Sequence, residues 1–312
     1  MKTLYLFFIL PMFIFAQEMQ TRTQIQMGTL VSLTLPSHKE ALFSKAFSLI
    51  QSLETVLSSY DKNALVYGLN HRHTVMSHPS LVEALTVSQQ YYKETQGYFD
   101  ITIGSLSKNL YHFGEEKERI PLPKEVDSIV LNIKGIMYSP TEITTERNIT
   151  LDLGGMGKGY TVDKVALLLQ EHNTTKGIIA LSGDMRCLDI CKIGLQSPYS
   201  EQPFASIESK VPNLSISTSG TYRRYIQNPK NHHLLNPKTA SQGKDFVSVS
   251  LFTIADNSKI DAYATAISVM PKEEAYAFLK KHSEIGFVVV ETKGKVRHGN
   301  LEKFIDLKYF NL

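Results

Sequence analysis

The densest group of chemically useful residues is the run Leu151-Asp152-Leu153-Gly154-Gly155-Met156-Gly157-Lys158-Gly159-Tyr160. Its glycines let backbone approach a ligand closely, and amides exposed at a helix start suit a phosphate. Lys158 adds a point charge. The spacing is neither that of a Walker A loop nor that of a dinucleotide fingerprint. The run is therefore either a phosphate cradle of another kind or a tight structural turn. A second group, Asp261 and Thr265, stands at i and i+4, so the two oxygens share one helix face. With nearby carbonyls they form a hard-oxygen set suited to Mg²⁺. The alternative is an Asp favoured by the dipole of a helix start. His232 and His233 precede the turn Asn236-Pro237. Neighbouring residues of a strand face opposite sides, so one of the two can enter a site. An inward His at such a place is by default a structural hydrogen-bonding group. The absence of HExxH spacing argues against a zincin-type centre. Tyr98, Phe99 and Asp100 follow Gly97, and the aromatic pair either joins the core or flanks a planar ligand. Cys187 and Cys191 are spaced too widely for a CxxC redox motif. They either close a small disulfide or remain two buried thiols.

These residues need a scaffold, and 312 residues suffice for one large domain or two of average size. Hydrophobic residues make up 42% and charged residues 20%, ordinary for a globular protein. A formal net charge of +3 with no basic stripe excludes non-specific nucleic-acid binding. Residues 1–16 combine Lys2, the apolar run Leu4–Phe15 and a small Ala16. This reads as a secretory signal peptide, too short to span a membrane. The expected product is a periplasmic or secreted chain in which 17–312 form one catalytic domain. Alternation predicts a strand over Ile25–Leu35, and helical periodicity predicts Lys39–Ser58. Further helices are expected over Pro79–Thr95, Tyr160–Glu171, Ser258–Met270 and Lys272–His282. Strands are expected at Gly177–Leu181, Leu214–Thr218, Phe246–Thr253 and Phe287–Glu291, and an exposed loop at Gly114–Val126. Strands mixed with helices, without strict βα alternation, give an α+β class with mixed or antiparallel sheets and packed helices.

Taken in order, several short segments carry a resemblance. They are Met27-Gly28-Thr29, Ser58-Ser59-Tyr60 with Leu69-Asn70, and Gly97-Tyr98-Phe99-Asp100-Ile101-Thr102. The glycine run with Asp163, Ser182-Gly183-Asp184, Ser217-Thr218-Ser219-Gly220, His233 to Thr239 and Asp261-Ala262-Tyr263-Ala264-Thr265 complete the set. Together the segments resemble the ApbE family, the FAD:protein FMN transferases, over most of the chain after the leader. The resemblance implies a T-fold-like catalytic domain outside the cytoplasm. It implies Mg²⁺-dependent cleavage of the FAD pyrophosphate, transfer of FMN to a Thr hydroxyl of a partner protein, and release of AMP.

The implied roles carry over position by position. Asp261, Thr265 and the Gly155 carbonyl match the metal ligands. Met27, Tyr60, Tyr98, Phe99, Asp100, Asp152, Lys158 and Leu235 match positions that hold FAD. His233 matches the active-site His and is expected to act as the base, with Lys158 assisting at the phosphates. The implied acceptors are subunits of flavin electron-transport complexes or FMN-carrying reductases, through which the enzyme would meet the inner membrane. Three positions depart from the family pattern: Asn236 stands for Asp, Ala240 for Gly, and Ser182-Gly183 for a Gly pair.

Overall fold

The computed structural model describes residues 18–310, and the leader expected over 1–16 lies outside them. Eight strands form the main sheet: β1 (Met19–Gln26), β2 (Thr29–Pro36), β3 (Ile178–Leu181), β4 (Asp184–Cys187), β5 (Leu214–Gly220), β6 (Phe246–Thr253), β7 (Gly286–Glu291) and β8 (Val296–Gly299). They lie side by side in chain order, each antiparallel to its neighbours. The longer helices are α1 (Glu40–Leu57), α2 (Leu65–Arg72), α3 (Pro79–Glu94), α4 (Gly157–Glu171), α5 (Asn257–Val269) and α6 (Lys272–Lys281). The class is α+β, as the mixed pattern predicts.

Alternation along the strands assigns each residue to a face. Val249, Leu251 and Val289 pack into the helical core with Ile260, Tyr263 and Ile267 of α5. Phe252, Val288 and Val290 point the other way, against Phe204, Ile207 and Ile305 of a three-stranded sheet. That second sheet comprises Lys192–Gln196, Pro203–Ser209 and Ile305–Tyr309. Its central strands β5, β6 and β7 are therefore buried on both faces, with helices on one side and strands on the other, while β1 at the edge is largely exposed.

The structure departs from the sequence reading in definite places. The strand expected over Ile25–Leu35 is a hairpin, broken at Met27 and Gly28, whose φ angles are +52° and +67°. Two consecutive left-handed residues make the two-residue turn that matches the twist of paired strands. Helix α4 begins at Gly157 rather than Tyr160. Gly159 lies inside it because a Cβ there would stand 2.6 Å from the Asn257 carbonyl oxygen of α5. Within Gly114–Val126, Pro123–Val126 is a short helix. Cys187 and Cys191 are joined by a disulfide.

Candidate active site

The first turn of α5 is fixed from α4. Asp163 accepts hydrogen bonds from the backbone amides of Asn257 at 2.8 Å and Ser258 at 2.9 Å. Arg186 on β4 donates to the same carboxylate at 3.0 Å. Burial pushes the Asp163 carboxyl up to about 6, against the pull of Arg186 and the two amides. With α5 anchored, Asp261 is buried beneath the glycine run. Its Oδ2 accepts from the Gly159 amide at 3.1 Å and stands 3.6 Å from Lys158 Nζ. The ammonium also lies 3.0 Å from Asp184 Oδ2 and donates to the Gly154 carbonyl at 3.3 Å. Ser217 on β5 holds the other Asp184 oxygen at 2.6 Å. One helical turn beyond Asp261, Thr265 Oγ1 meets the Gly155 carbonyl at 3.4 Å.

Two carboxylates thus face one ammonium in a place shielded from water. Burial, and then the charge of Asp184, push the Asp261 carboxyl well above the usual range, with Lys158 and the Gly159 amide opposing. Burial alone would lower Lys158, but Asp184 and Asp261 outweigh it and hold the ammonium charged. Among the described residues no group of three His, Cys, Asp or Glu gathers around one point. The donors at hand are a carboxylate, a hydroxyl and a carbonyl, which suit a hard divalent cation rather than a transition metal.

His233 lies within electrostatic reach of this group, the Lys158 charge adding slightly to the burial that disfavours its imidazolium. Its Nδ1 is 3.1 Å from the Arg224 carbonyl oxygen. A carbonyl only accepts, so Nδ1 carries the proton and the Nε2 lone pair is left available. Burial pushes the imidazole down to about 4, leaving it neutral at ordinary pH. His232 turns the other way and bonds the Gly243 carbonyl through Nε2 at 2.9 Å.

A second cluster adjoins through Gly154, whose amide donates to Asp152 Oδ1 at 2.9 Å. Asp152 Oδ2 accepts from Ser107 at 2.7 Å and lies 3.8 Å from Lys108 Nζ. Burial opposes the Asp152 charge, but Lys108, Ser107, the Gly154 amide and Arg224 hold its carboxyl below the usual range. The Lys108 ammonium sits 3.1 Å from the centre of the Tyr60 ring, and Arg224 donates to the Tyr60 hydroxyl at 2.7 Å. Tyr60 is 44% exposed, so part of its ring remains open beside the two cations.

The other expected site residues are placed less directly. Phe99 packs close to Gly155, where an added Cβ would come within 3.4 Å of its ring. Tyr98 donates to Glu274 at 2.8 Å and carries the Lys238 ammonium 3.7 Å from its ring centre. Asp100 Oδ1 is taken by the amide and hydroxyl of Thr102 at 2.8 and 2.7 Å. Leu235 spends its side chain on an apolar cluster with Leu106, Tyr111, Phe113 and Ile226. Met27 occupies the hairpin turn, where neighbouring Leu30 accepts from the Ser182 amide at 3.3 Å, next to the turn that carries Asp184. Asp184, Lys108 and Arg224 were not singled out from sequence. Each lies far along the chain from its partners, and only the Ser-Gly-Asp turn offered a local signal.

Comparison with known proteins gives this arrangement its relatives. The sequence pattern of the ApbE family matches residues 27–289. The chain is 26% identical over 282 residues to an FAD:protein FMN transferase of Klebsiella pneumoniae (strain 342), covering 85% of this chain and 87% of that protein. It is 23% identical over 312 residues to an FAD:protein FMN transferase of Treponema pallidum (strain Nichols), covering 89% and 86%. The fold superposes on the crystal structure of the ApbE protein from Thermotoga maritima with a TM-score of 0.82 at 21% identity, covering 90% of this chain and 97% of that one. It also matches the flavin transferase ApbE from Vibrio cholerae, with a TM-score of 0.78 at 20% identity over 93% and 100%. The chain belongs to the ApbE family.

Proposed function

We propose that this protein is an FAD:protein FMN transferase, which moves FMN from FAD to a threonine hydroxyl of an acceptor flavoprotein and releases AMP. The observation that carries the reading is the group formed by Lys158, Asp184, Asp261, Thr265 and the Gly155 carbonyl under the glycine run. In the reaction the hydroxyl oxygen bonds to the FMN-side phosphorus while the bond from that phosphorus to the bridging oxygen breaks. The bridging oxygen leaves with AMP. The hydroxyl proton passes to His233 Nε2, the nitrogen left free by the bond to Arg224. Lys158 stabilises charge gathering on the phosphoryl oxygens, and the glycine amides assist it.

Asp261, Thr265 and the Gly155 carbonyl offer oxygen donors that fit Mg²⁺, which when bound would neutralise the pyrophosphate and ease departure of AMP. We assign the protein to the periplasm. The apolar leader supports this, as does the Cys187–Cys191 disulfide, a bond favoured in oxidising compartments. The acceptors are subunits of flavin electron-transport complexes or FMN-carrying reductases, and the membrane is reached through them.

The test follows AMP release from FAD with Mg²⁺, with and without a candidate acceptor. AMP formed in step with loss of the free acceptor supports transfer. AMP and free FMN at the same rate without acceptor would make the protein an FAD hydrolase. Unchanged FAD would leave only a flavin-binding protein. An Asp261→Ala variant that keeps full Mg²⁺-dependent turnover would remove Asp261 from the metal site.

A further inference from the structure

Lys158 stands between two buried carboxylates but is not shared equally by them. Its ammonium lies 3.0 Å from Asp184 Oδ2 and 3.6 Å from Asp261 Oδ2, the second distance beyond hydrogen-bond reach. The two acidic side chains are 2% and 4% exposed, so water screens neither pair well. Asp184 is held at this post by its own sheet. Ser217 donates to its other carboxylate oxygen at 2.6 Å. The turn before it is clamped onto β5, where the Thr218 amide donates to the Gly183 carbonyl at 3.0 Å. That approach is so close that a Cβ at Gly183 would stand 2.6 Å from the Thr218 carbonyl oxygen. The Gly154 carbonyl gives the ammonium a further anchor at 3.3 Å.

We infer that Asp184 is a positioning residue, which engages the Lys158 ammonium so that the charge of Asp261 stays available to a divalent cation. This rests on the metal role given to Asp261 above. An ammonium paired closely with Asp261 would cancel the charge that a hard cation needs from its carboxylate ligand. Ammonium and metal therefore compete for one group, and a second carboxylate settles the competition. With Asp184 in place, two carboxylates and one ammonium leave a net negative charge for the metal. Without it, Lys158 and Asp261 neutralise each other. Direct ligation by Asp184 fits the geometry less well, because Ser217 takes one of its oxygens and the ammonium the other. Asp184 thus acts on the metal through the lysine, and a chain without that lysine has no need of it.

The test titrates Mn²⁺, a stand-in for Mg²⁺ at oxygen ligands, into the full chain without FAD. Unbound metal is followed by electron paramagnetic resonance. The unaltered protein is compared with Asp184→Asn and with the double variant Asp184→Asn, Lys158→Met. Asparagine keeps the shape and the acceptor that Ser217 uses, and lacks the charge. Mn²⁺ affinity is expected to be about tenfold weaker in Asp184→Asn. Adding Lys158→Met should return it to within about threefold of the unaltered value, a coupling that a merely structural role for Asp184 would not produce. Unchanged affinity in Asp184→Asn overturns the inference. So does a double variant as weak as the single one, which would make Asp184 a metal ligand or a prop for its turn. Failure of the unaltered protein to bind Mn²⁺, or full binding by Asp261→Ala, would instead count against the underlying metal site and take the inference with it. If Asp184→Asn shows no cooperative thermal unfolding, Asp184→Ser is read through the same titrations.

Discussion

At the scale of single residues, one hydrogen bond decides what His233 can do. Its Nδ1 proton is committed to the Arg224 carbonyl, so the imidazole meets a substrate through Nε2 alone. Replacing His233 with Ala is expected to slow FMN transfer by about 10²–10⁴-fold, the usual worth of a general base, measured under saturating FAD. Burial holds the imidazole near 4, so it stays unprotonated well below neutrality. At saturating Mg²⁺, which would keep Asp261 ionised, the rate should therefore persist as the pH falls past 6 and drop only as it approaches about 4. An acid limb centred near the ordinary histidine value would contradict that placement. The sign for stability follows from the same depression. An unfolded histidine takes up its proton near 6.5, before the folded one does. His233 therefore withdraws stability as the pH falls from there toward its folded value, and contributes no such loss above. Ser182 shows how a departure from the family pattern works. It holds φ at +59° in an exposed turn, a conformation that costs any residue with a Cβ, so Ser182→Gly should raise unfolding stability by about 0.5–1 kcal/mol in urea. Asn236, by contrast, uses both ends of its amide, donating to the Val269 carbonyl and accepting from the Lys238 amide. An Asp there could not donate.

At the scale of elements, the site depends on how closely α4 and α5 approach. The contact closes at Gly159, where an added methyl would meet the Asn257 carbonyl at 2.6 Å and the Asp261 Cβ at 2.9 Å. Gly159→Ala is expected to cost about 1–3 kcal/mol on chemical unfolding, as overpacking does. It should also lower transfer, by moving Asp261 against Thr265 and Gly155. Much of this architecture was legible in the sequence. The apolar stripe of α1, Pro79 opening α3 and the strand Phe246–Thr253 all follow from periodicity and turn chemistry. The hairpin at Met27 was not legible, because Met-Gly lacks the Asn or Asp that usually marks a left-handed pair. The glycine run and Asp261 stood out because their chemistry is local. Asp184, Lys108 and Arg224 stayed hidden because each gains its meaning from a partner distant in sequence: Lys158 for Asp184, Asp152 for Lys108, and Tyr60 for Arg224. At Tyr60 the Lys108 ammonium rests against the ring, a contact between residues 48 apart that no local pattern announces.

At the scale of the whole molecule, the main sheet separates a helical side, which carries the site, from a side closed by the three-stranded sheet. The Cys187–Cys191 disulfide belongs to the second side, in the apolar cluster with Leu214 and Phe252. It closes a short loop, so replacing both cysteines with alanine should cost about 2 kcal/mol on denaturant unfolding. Transfer by the folded protein is expected to stay unchanged, because that cluster contains none of the site residues. The near-balanced charge fits a protein that binds an anionic dinucleotide through a local ammonium and amides rather than through a basic surface. The most direct test of the central claim is the intact mass of an acceptor flavoprotein after incubation with this protein, FAD and Mg²⁺. A gain of one FMN, mapped to a threonine and absent with His233→Ala, is the predicted result. An acceptor of unchanged mass, while FAD is converted to free FMN and AMP, would contradict it.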